Sequence, residues 1–389
     1  MTAEGGPRSS VCHPGSGVEA RSMLSRRSLL IGTAAVAAAG GASYYAWPRD
    51  DPRYRSTLEE MRRRAESWPV AERARAQQLV RHAVLAANSH NTQPWLFEAS
   101  QNSIRISPDT NRRCPVVDPE DRHVVASLGC ATENLVLAAN AAGLDTQIEF
   151  VPSSRQVIVT MTAGRPNSTA VYEAIIRRQT TRAAFDPTPL ANEDLSVLER
   201  AIRQSGVRAR FLTARSEIDR LKQFVVAGNT AQCSDEAFVR ELRDWIRFNQ
   251  THAFETRDGL YSGSSGAPML PRWLGQYGFP LLFTASSENP KYMAQLDGSA
   301  GAVVLYPEND EADGWFNVGR ASQRFQLEAT ARDVRTSFIN QPVEVAAVRR
   351  AFQQWLGDGL RPALILRFGR GKLMPPSLRR PVAAVLKYT

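Results

Sequence analysis

The sequence predicts an α+β protein built from two related halves, and three observations carry that prediction. First, Gly129, Ala131, Leu137, Ala139 and Ala141 recur as Gly319, Ala321, Leu327, Ala329 and Ala331, at one constant offset of 190 residues (Gly129 to Gly319). The same offset pairs Thr132 with Ser322, Glu133 with Gln323, Leu135 with Phe325, and Leu144 with Val334. Second, both repeats are rich in alanine and leucine and free of proline through their middles, so each predicts a long buried helix. Their small residues allow the two helices to approach closely. Third, strand-like runs are mixed among helical ones: Ile104 to Ile106, Gln147 to Val151, Val157 to Met161, Leu281 to Thr284, Ala302 to Tyr306 and Ala363 to Phe368. The turn-rich stretch Thr162 to Thr169 links the halves, which gives expected boundaries of 1–47, 48–165 and 166–389.

Along the chain, residues 1–47 come first as a leader. Ser25-Arg26-Arg27-Ser28-Leu29-Leu30 precedes an alanine- and glycine-rich apolar run to about Ala46, the pattern of a twin-arginine export signal. The run is less apolar than the roughly 20 residues a bilayer span requires. Cleavage and membrane anchoring both stay open. Export would place the protein in the periplasm or cell envelope, and this route carries folded proteins, so a cofactor inserted beforehand is expected.

The 389 residues are 43% hydrophobic and 22% charged, the balance of a globular protein, with a formal charge of +9. Such a surface attracts anions. No basic stretch interleaved with aromatics points to nucleic acid. Four cysteines without C-x-x-C spacing and five scattered histidines argue against a metal site; a Cys114–Cys130 disulfide stays open.

Three segments carry chemistry. Asn88-Ser89-His90-Asn91-Thr92-Gln93-Pro94-Trp95 follows the apolar stretch Leu79 to Ala87. It could serve as a helix cap leading into a strand, or its amides could match the imide edge of a planar heterocycle. Arg178-Gln179-Thr180-Thr181-Arg182 after Val171 to Ile176 is either a solvated helix end or a phosphate site of guanidinium forks and a hydroxyl. Pro375-Pro376-Ser377-Leu378-Arg379-Arg380-Pro381 is either a rigid basic tail or the completion of that anion site.

Together these segments resemble the nitroreductase superfamily, with its R-x-[ST]-x-R, S-x-N-x-Q-P-W and C-terminal basic pair. The leader, the duplication, Trp245-Ile246-Arg247 and Asp258-Gly259-Leu260 are similar to its Acg-type single-chain FMN-binding branch. The resemblance covers residues 70 to 389. It implies a duplicated nitroreductase-like fold, a fused pseudo-dimer with mixed sheets flanked by helices and two long central helices. It also implies that Arg178, Thr180, Arg379 and Arg380 hold the FMN phosphate and that Arg182 reaches the ribityl chain or the ring. Ser89, Asn91 and Gln93 would contact the ring, and the turn at Asn340 and Gln341 would present a backbone N–H to it.

Each half lacks what the other has. No R-x-[ST]-x-R precedes Leu79, and Leu198 to Leu212 carries no S-x-N-x-Q-P-W, so one FMN per chain and one abandoned site are expected. A chain containing its own pseudo-dimer partner is expected to be a monomer or weak dimer. The resemblance implies hydride transfer from NAD(P)H through FMN to a nitroaromatic, quinone or similar small acceptor, with no special catalytic side chain. The alternative is a non-catalytic FMN-binding or FMN-sequestering protein, because residues 258–270, containing Tyr261 and Met269, could be a lid or a plain surface loop.

Overall fold

A computed structural model describes residues 50–203, 207–357 and 359–389; the leader lies outside the described residues. The strands are β1 Trp95–Ala99, β2 Ser103–Pro108, β3 Leu144–Val151, β4 Gln156–Ala163, β5 Arg208–Leu212, β6 Ile246–Arg247, β7 Leu260–Tyr261, β8 Gly301–Tyr306, β9 Arg335–Phe338, β10 Leu364–Gly369 and β11 Leu386–Tyr388. The helices used below are α1 Pro52–Met61, α2 Glu72–Ala83, α3 Arg122–Ala141, α4 Ala170–Ala174, α5 Asn192–Arg203, α6 Arg215–Ser234, α7 Glu236–Trp245, α8 Gln250–Thr256, α9 Arg272–Leu282, α10 Ala285–Asp297, α11 Ala312–Ala331 and α12 Gln341–Glu344.

The expected mixture of strands and long helices is present. One sheet has the order β11-β1-β2-β4-β3 and a second has β5-β8-β10-β9, while β6 and β7 form a short parallel pair. Each larger sheet buries apolar residues: Phe97, Ile104, Ile106, Val157 and Val159 in the first, Val303, Leu305, Leu366 and Phe368 in the second. The last strand breaks the sequence order, since β11 lies parallel to β1 with Phe97 opposite Leu386. The chain therefore leaves the second sheet after β10, crosses the molecule through residues 370–381 and closes the first sheet.

Helices α3 and α11 pack along each other at the centre, and their bounds differ by the same 190 residues as the sequence repeat. Glycine is required where they cross. A Cβ on Gly129 would lie 2.2 Å from Phe316 O, and one on Gly319 would lie 2.0 Å from Ala126 O. Helix α3 is long and apolar enough to cross a membrane, but 94% of that stretch is buried inside the protein. Polar groups at the contact are paired. Glu133 meets Arg320 at 3.0 Å and Arg324 at 2.5 Å, and Gln323 Nε2 donates to Asn134 Oδ1 at 2.7 Å. Gln323 Oε1 also accepts from Ala87 N at 3.1 Å, which ties the central helices to the loop that follows α2.

One expected strand is absent. Leu281 to Thr284 forms the end of α9 and the cap of α10, where the Thr284 side chain accepts from Ser287 N. Its leucines have no sheet to pair with: Leu281 is 81% exposed and Leu282 63% exposed. Cys114 and Cys130 are free thiols, and Cys130 Sγ donates to Gly319 O at 3.1 Å.

Candidate functional site

Four arginines converge on one small cleft. Arg178 follows α4, where its backbone N–H donates to Ala174 O at 2.8 Å, and the next turn is pinned to β9 by Thr181 N to Thr336 O at 2.9 Å. Its buried guanidinium donates to Gln326 Oε1 and to Leu85 O, both at 3.1 Å, and Nε has no partner. Arg379 arrives on the crossing segment before β11 and donates to Val84 O at 2.9 Å and Ala86 O at 3.3 Å. Arg62, just after α1, donates to Ile176 O at 2.8 Å and Arg178 O at 3.1 Å, and its buried Nε is also unpartnered. Arg182 lines the same cleft with Thr180 and Ser377.

Among the described residues, none of these four guanidinium groups has a carboxylate within ion-pair distance. Burial lowers the Arg62 and Arg178 pKa values to about 10, and Arg62 adds like-charge repulsion on Arg178. Arg379 is lowered further by burial and by both neighbours. Arginine keeps its proton in proteins, so the unfavourable charge is relieved by binding an anion. A phosphate accepts from several forks at once.

The cleft opens into a larger cavity, and the two share Ala87, Asn88, Thr180, Arg182 and Leu260. One wall is the loop after α2, whose backbone is held in the left-handed region at His90 (φ 45°), Asn91 (φ 53°) and Gln93 (φ 55°). Such conformations cost energy and persist only where surrounding bonds enforce them. Here Asn88 Oδ1 accepts from Gln93 N at 2.8 Å, and Asn91 Nδ2 donates to Gly259 O at 2.8 Å and Leu378 O at 3.0 Å.

The structure brings Ser89, Asn91, Thr180, Arg178, Arg182, Arg379, Asn340 and Gln341 to the walls of these two spaces. It does not bring Gln93 or Arg380 there. Gln93 is fully buried behind the loop: Oε1 accepts from Arg380 N at 2.7 Å and Nε2 donates to Arg257 O at 2.9 Å. Arg380 reaches away to Asp109 Oδ2 at 3.1 Å. Both brace the loop rather than line the cavity. Asn340 uses its side chain to accept from Ile365 N at 2.9 Å, while Gln341 Oε1 is buried without a partner.

The segment from Asp258, read as a lid or a plain surface loop, is anchored at its start. Arg247 and Asp258 form a buried ion pair at 2.6 Å, β6 pairs with β7, and Gly259 N donates to Asn91 O at 3.0 Å. Tyr261 turns away from the cavity and packs on Tyr54, ring centroids 5.2 Å apart. Leu260 alone of β7 lines the cavity, joined by Phe238 and Leu242 of α7, Phe283 after α9, and Tyr292 of α10. The far end is polar: Glu344 Oε2 accepts from Gln232 Nε2 at 2.7 Å, and Oε1 lies 3.9 Å from His123 Nδ1.

Burial lowers His82, His90 and His252 to about 4 each, with Arg182 and His123 adding repulsion at His90. Their unfolded values lie near 6.5, so between about pH 6.5 and 4 the unfolded chain binds more protons. Stability is complete above that window and falls as pH drops through it. The urea midpoint is expected to hold from pH 8 to 7 and to decline steadily from pH 6 to 4.5; a midpoint that rises over that second interval would contradict the burial of these rings.

No family model matches the chain. Rv3131 of Mycobacterium tuberculosis, provisionally named an NAD(P)H nitroreductase, is 26% identical over 82% of this chain and 93% of its own length. A second protein of that organism, acg, carries the same provisional name and is 23% identical over 79% of this chain and 93% of its own. The chain is similar over most of its length to these two proteins. Among solved structures, the chain is similar to the FMN-dependent nitroreductase NfnB from Mycobacterium smegmatis in complex with NADPH. It matches at 15% identity and a TM-score of 0.39, over 57% of this chain and 98% of that one.

Three wall residues escape the motifs of the sequence. Arg62 stands in the run Arg62-Arg63-Arg64, which looks like solvated charge, and only tertiary placement distinguishes it from its neighbours. His123 and Glu344 are single residues near helix ends. The one sequence signal for Glu344 is its position four residues beyond Asn340, on the turn already singled out.

Proposed function

We propose that this chain is an FMN-dependent oxidoreductase that holds one FMN and passes hydride from NAD(P)H to a nitroaromatic, quinone or similar small acceptor. The observation that carries it is the cluster of four guanidinium groups without a counter-charge among the described residues, continuous with a second, partly apolar cavity. The unpartnered Nε atoms of Arg62 and Arg178 and the orphaned Asn91 Oδ1 fit a phosphorylated ligand with a hydroxylated chain. Arg62, Arg178, Arg379 and Thr180 would hold the phosphate, and Arg182 stands at the junction of the two spaces. Asn88, Ser89 and His90 would flank the ring on one side, Asn340 and Gln341 on the other.

FMN, when bound, supplies two-electron redox chemistry at its ring. The chain's own residues orient and shield. Phe238, Leu242 and Leu260 exclude water from the cavity, and His90, neutral near pH 7, can donate one ring N–H without adding charge. The provisional names of the two mycobacterial relatives support the same activity.

The anchored cap of α7, β7 and α10 supports a second reading, in which FMN is held and shielded rather than used. Export by the twin-arginine route to the periplasm or cell envelope, with or without anchoring, belongs to the proposal on Ser25 to Leu30 alone. A fused duplication acting as a monomer belongs to it on the shared offset of α3 and α11. The test is an anaerobic NAD(P)H titration of the purified full chain, followed in the visible flavin band. Bleaching within seconds, reversed by a nitroaromatic or quinone, is expected. A persistent flavin band favours the shielding reading, and no band after adding FMN overturns both.

A further inference from the structure

We propose that the Glu344 end of the cavity selects electron acceptors bearing a positive charge or N–H donors, with Glu344 setting that choice. The inference rests on the flavoprotein reading above. Arg182 and Glu344 line one cavity and do not pair with each other. At the arginine end, no described carboxylate stands within ion-pair distance of the four guanidinium groups. At the other end, no described lysine or arginine stands within that distance of Glu344.

The surroundings of Glu344 hold its carboxyl above the ordinary carboxylate range, so a cation arriving beside it is what favours the ionised form. Glu344 Oε2 has one hydrogen bond, from Gln232, and Oε1 faces His123 at 3.9 Å, too far for another. Asp118 lies behind, accepting from His123 N at 2.8 Å, and Glu241 accepts from Val116 N at 2.9 Å and Val117 N at 3.0 Å. Both add negative potential and raise the cost of ionising Glu344, as burial does first.

Gln341, on the same short helix, supplies the independent observation. It is 7% exposed, lines the cavity, and its Oε1 has no hydrogen-bond partner. Among the described residues, neither Gln341 Oε1 nor Glu344 Oε1 is given a hydrogen bond by the geometry around it, and a buried acceptor left unmade is costly. A ligand that brings N–H groups or a cation satisfies both. A carboxylate at that end would meet the negative potential of Asp118 and Glu241. The oxidised nicotinamide, a cation bearing a carboxamide, meets the same description as the favoured acceptors.

The experiment uses the full chain loaded with FMN and two matched pairs of aromatic probes. Benzyltrimethylammonium and benzoate, both redox-inert, are compared by calorimetry; 4-nitrobenzyltrimethylammonium and 4-nitrobenzoate are compared by kcat/KM. The cation of each pair is expected to lead by about tenfold or more, and Glu344→Gln is expected to erase most of that lead. Equal or better binding of benzoate by the wild type, or a lead that survives Glu344→Gln, overturns the proposal. The wild-type order needs no variant, so poor folding of Glu344→Gln leaves it decisive. If the inert probes bind in the expected order but no acceptor is reduced, the oxidoreductase reading falls and the charge selection stands. Should both nitro compounds be reduced equally, the reverse holds.

Discussion

Replacing Arg178 with methionine is expected to weaken FMN binding about 100-fold while changing riboflavin binding by less than about threefold. The guanidinium is buried, has an unpartnered Nε and no carboxylate nearby, so its charge is available to a phosphate. Charge-assisted hydrogen bonds contribute about 1.5–3 kcal/mol each, and 100-fold corresponds to about 2.7 kcal/mol. Methionine keeps the apolar stem packed and removes one of four like charges, which relieves repulsion on Arg62 and Arg379 in the flavin-free protein. Arg62→Met is expected to act in the same direction. The measurement is a fluorescence-quenching titration with each flavin. Equal losses for FMN and riboflavin would mean that the cleft supports the fold and does not read phosphate.

What was legible in the sequence depended on how local the signal was. The 190-residue repeat predicted α3 and α11 because helix packing at Gly129 and Gly319 demands small residues at fixed spacing on both partners. The segment from Arg178 to Arg182 was legible because its guanidinium and hydroxyl donors are concentrated within five residues, and Arg178, Thr180 and Arg182 line one cleft. Gln93 and Arg380 illustrate the limit. Their presence in matching segments is visible, but whether an amide faces a ligand or holds a strained loop is decided by side-chain direction, here set by Arg257 O and Asp109.

Tertiary placement hid the rest. Arg62 becomes a cleft residue only because α1 packs near α8 and lays the chain beside Ile176, a partner 114 residues away. The parallel pairing of β11 with β1 brings Arg379 across the molecule, and nothing in Leu386 to Tyr388 specifies that neighbour. Leu281 to Thr284 misleads for a simpler reason: an apolar run of four residues fits a strand and a helix end equally well, and the Thr284 cap decides between them.

Gly319→Val is expected to lower stability by about 4 kcal/mol and to loosen FMN and riboflavin alike. No side-chain rotation can relieve the clash, because the atoms a Cβ would meet are backbone: Ala126 O at 2.0 Å and Ala126 C at 2.7 Å. The helices must separate by more than an ångström, adding lost packing to an overpacking cost of about 1–3 kcal/mol. At roughly 2–4 °C per kcal/mol the melting temperature falls by about 8 °C or more. Gly129→Ala, which meets Phe316 O at 2.2 Å from the other side, is expected to act in the same direction. Gly278→Ala, whose nearest atom is the Leu282 side chain at 3.8 Å, serves as the control and stabilises by up to about 1 kcal/mol through helix propensity. The flavin effect follows from the bond between Gln323 Oε1 and Ala87 N, since α11 carries that glutamine and Ala87 begins the strained loop. Separating the helices shifts the loop and with it the ring wall, a loss shared by both flavins and therefore distinct from that of Arg178→Met.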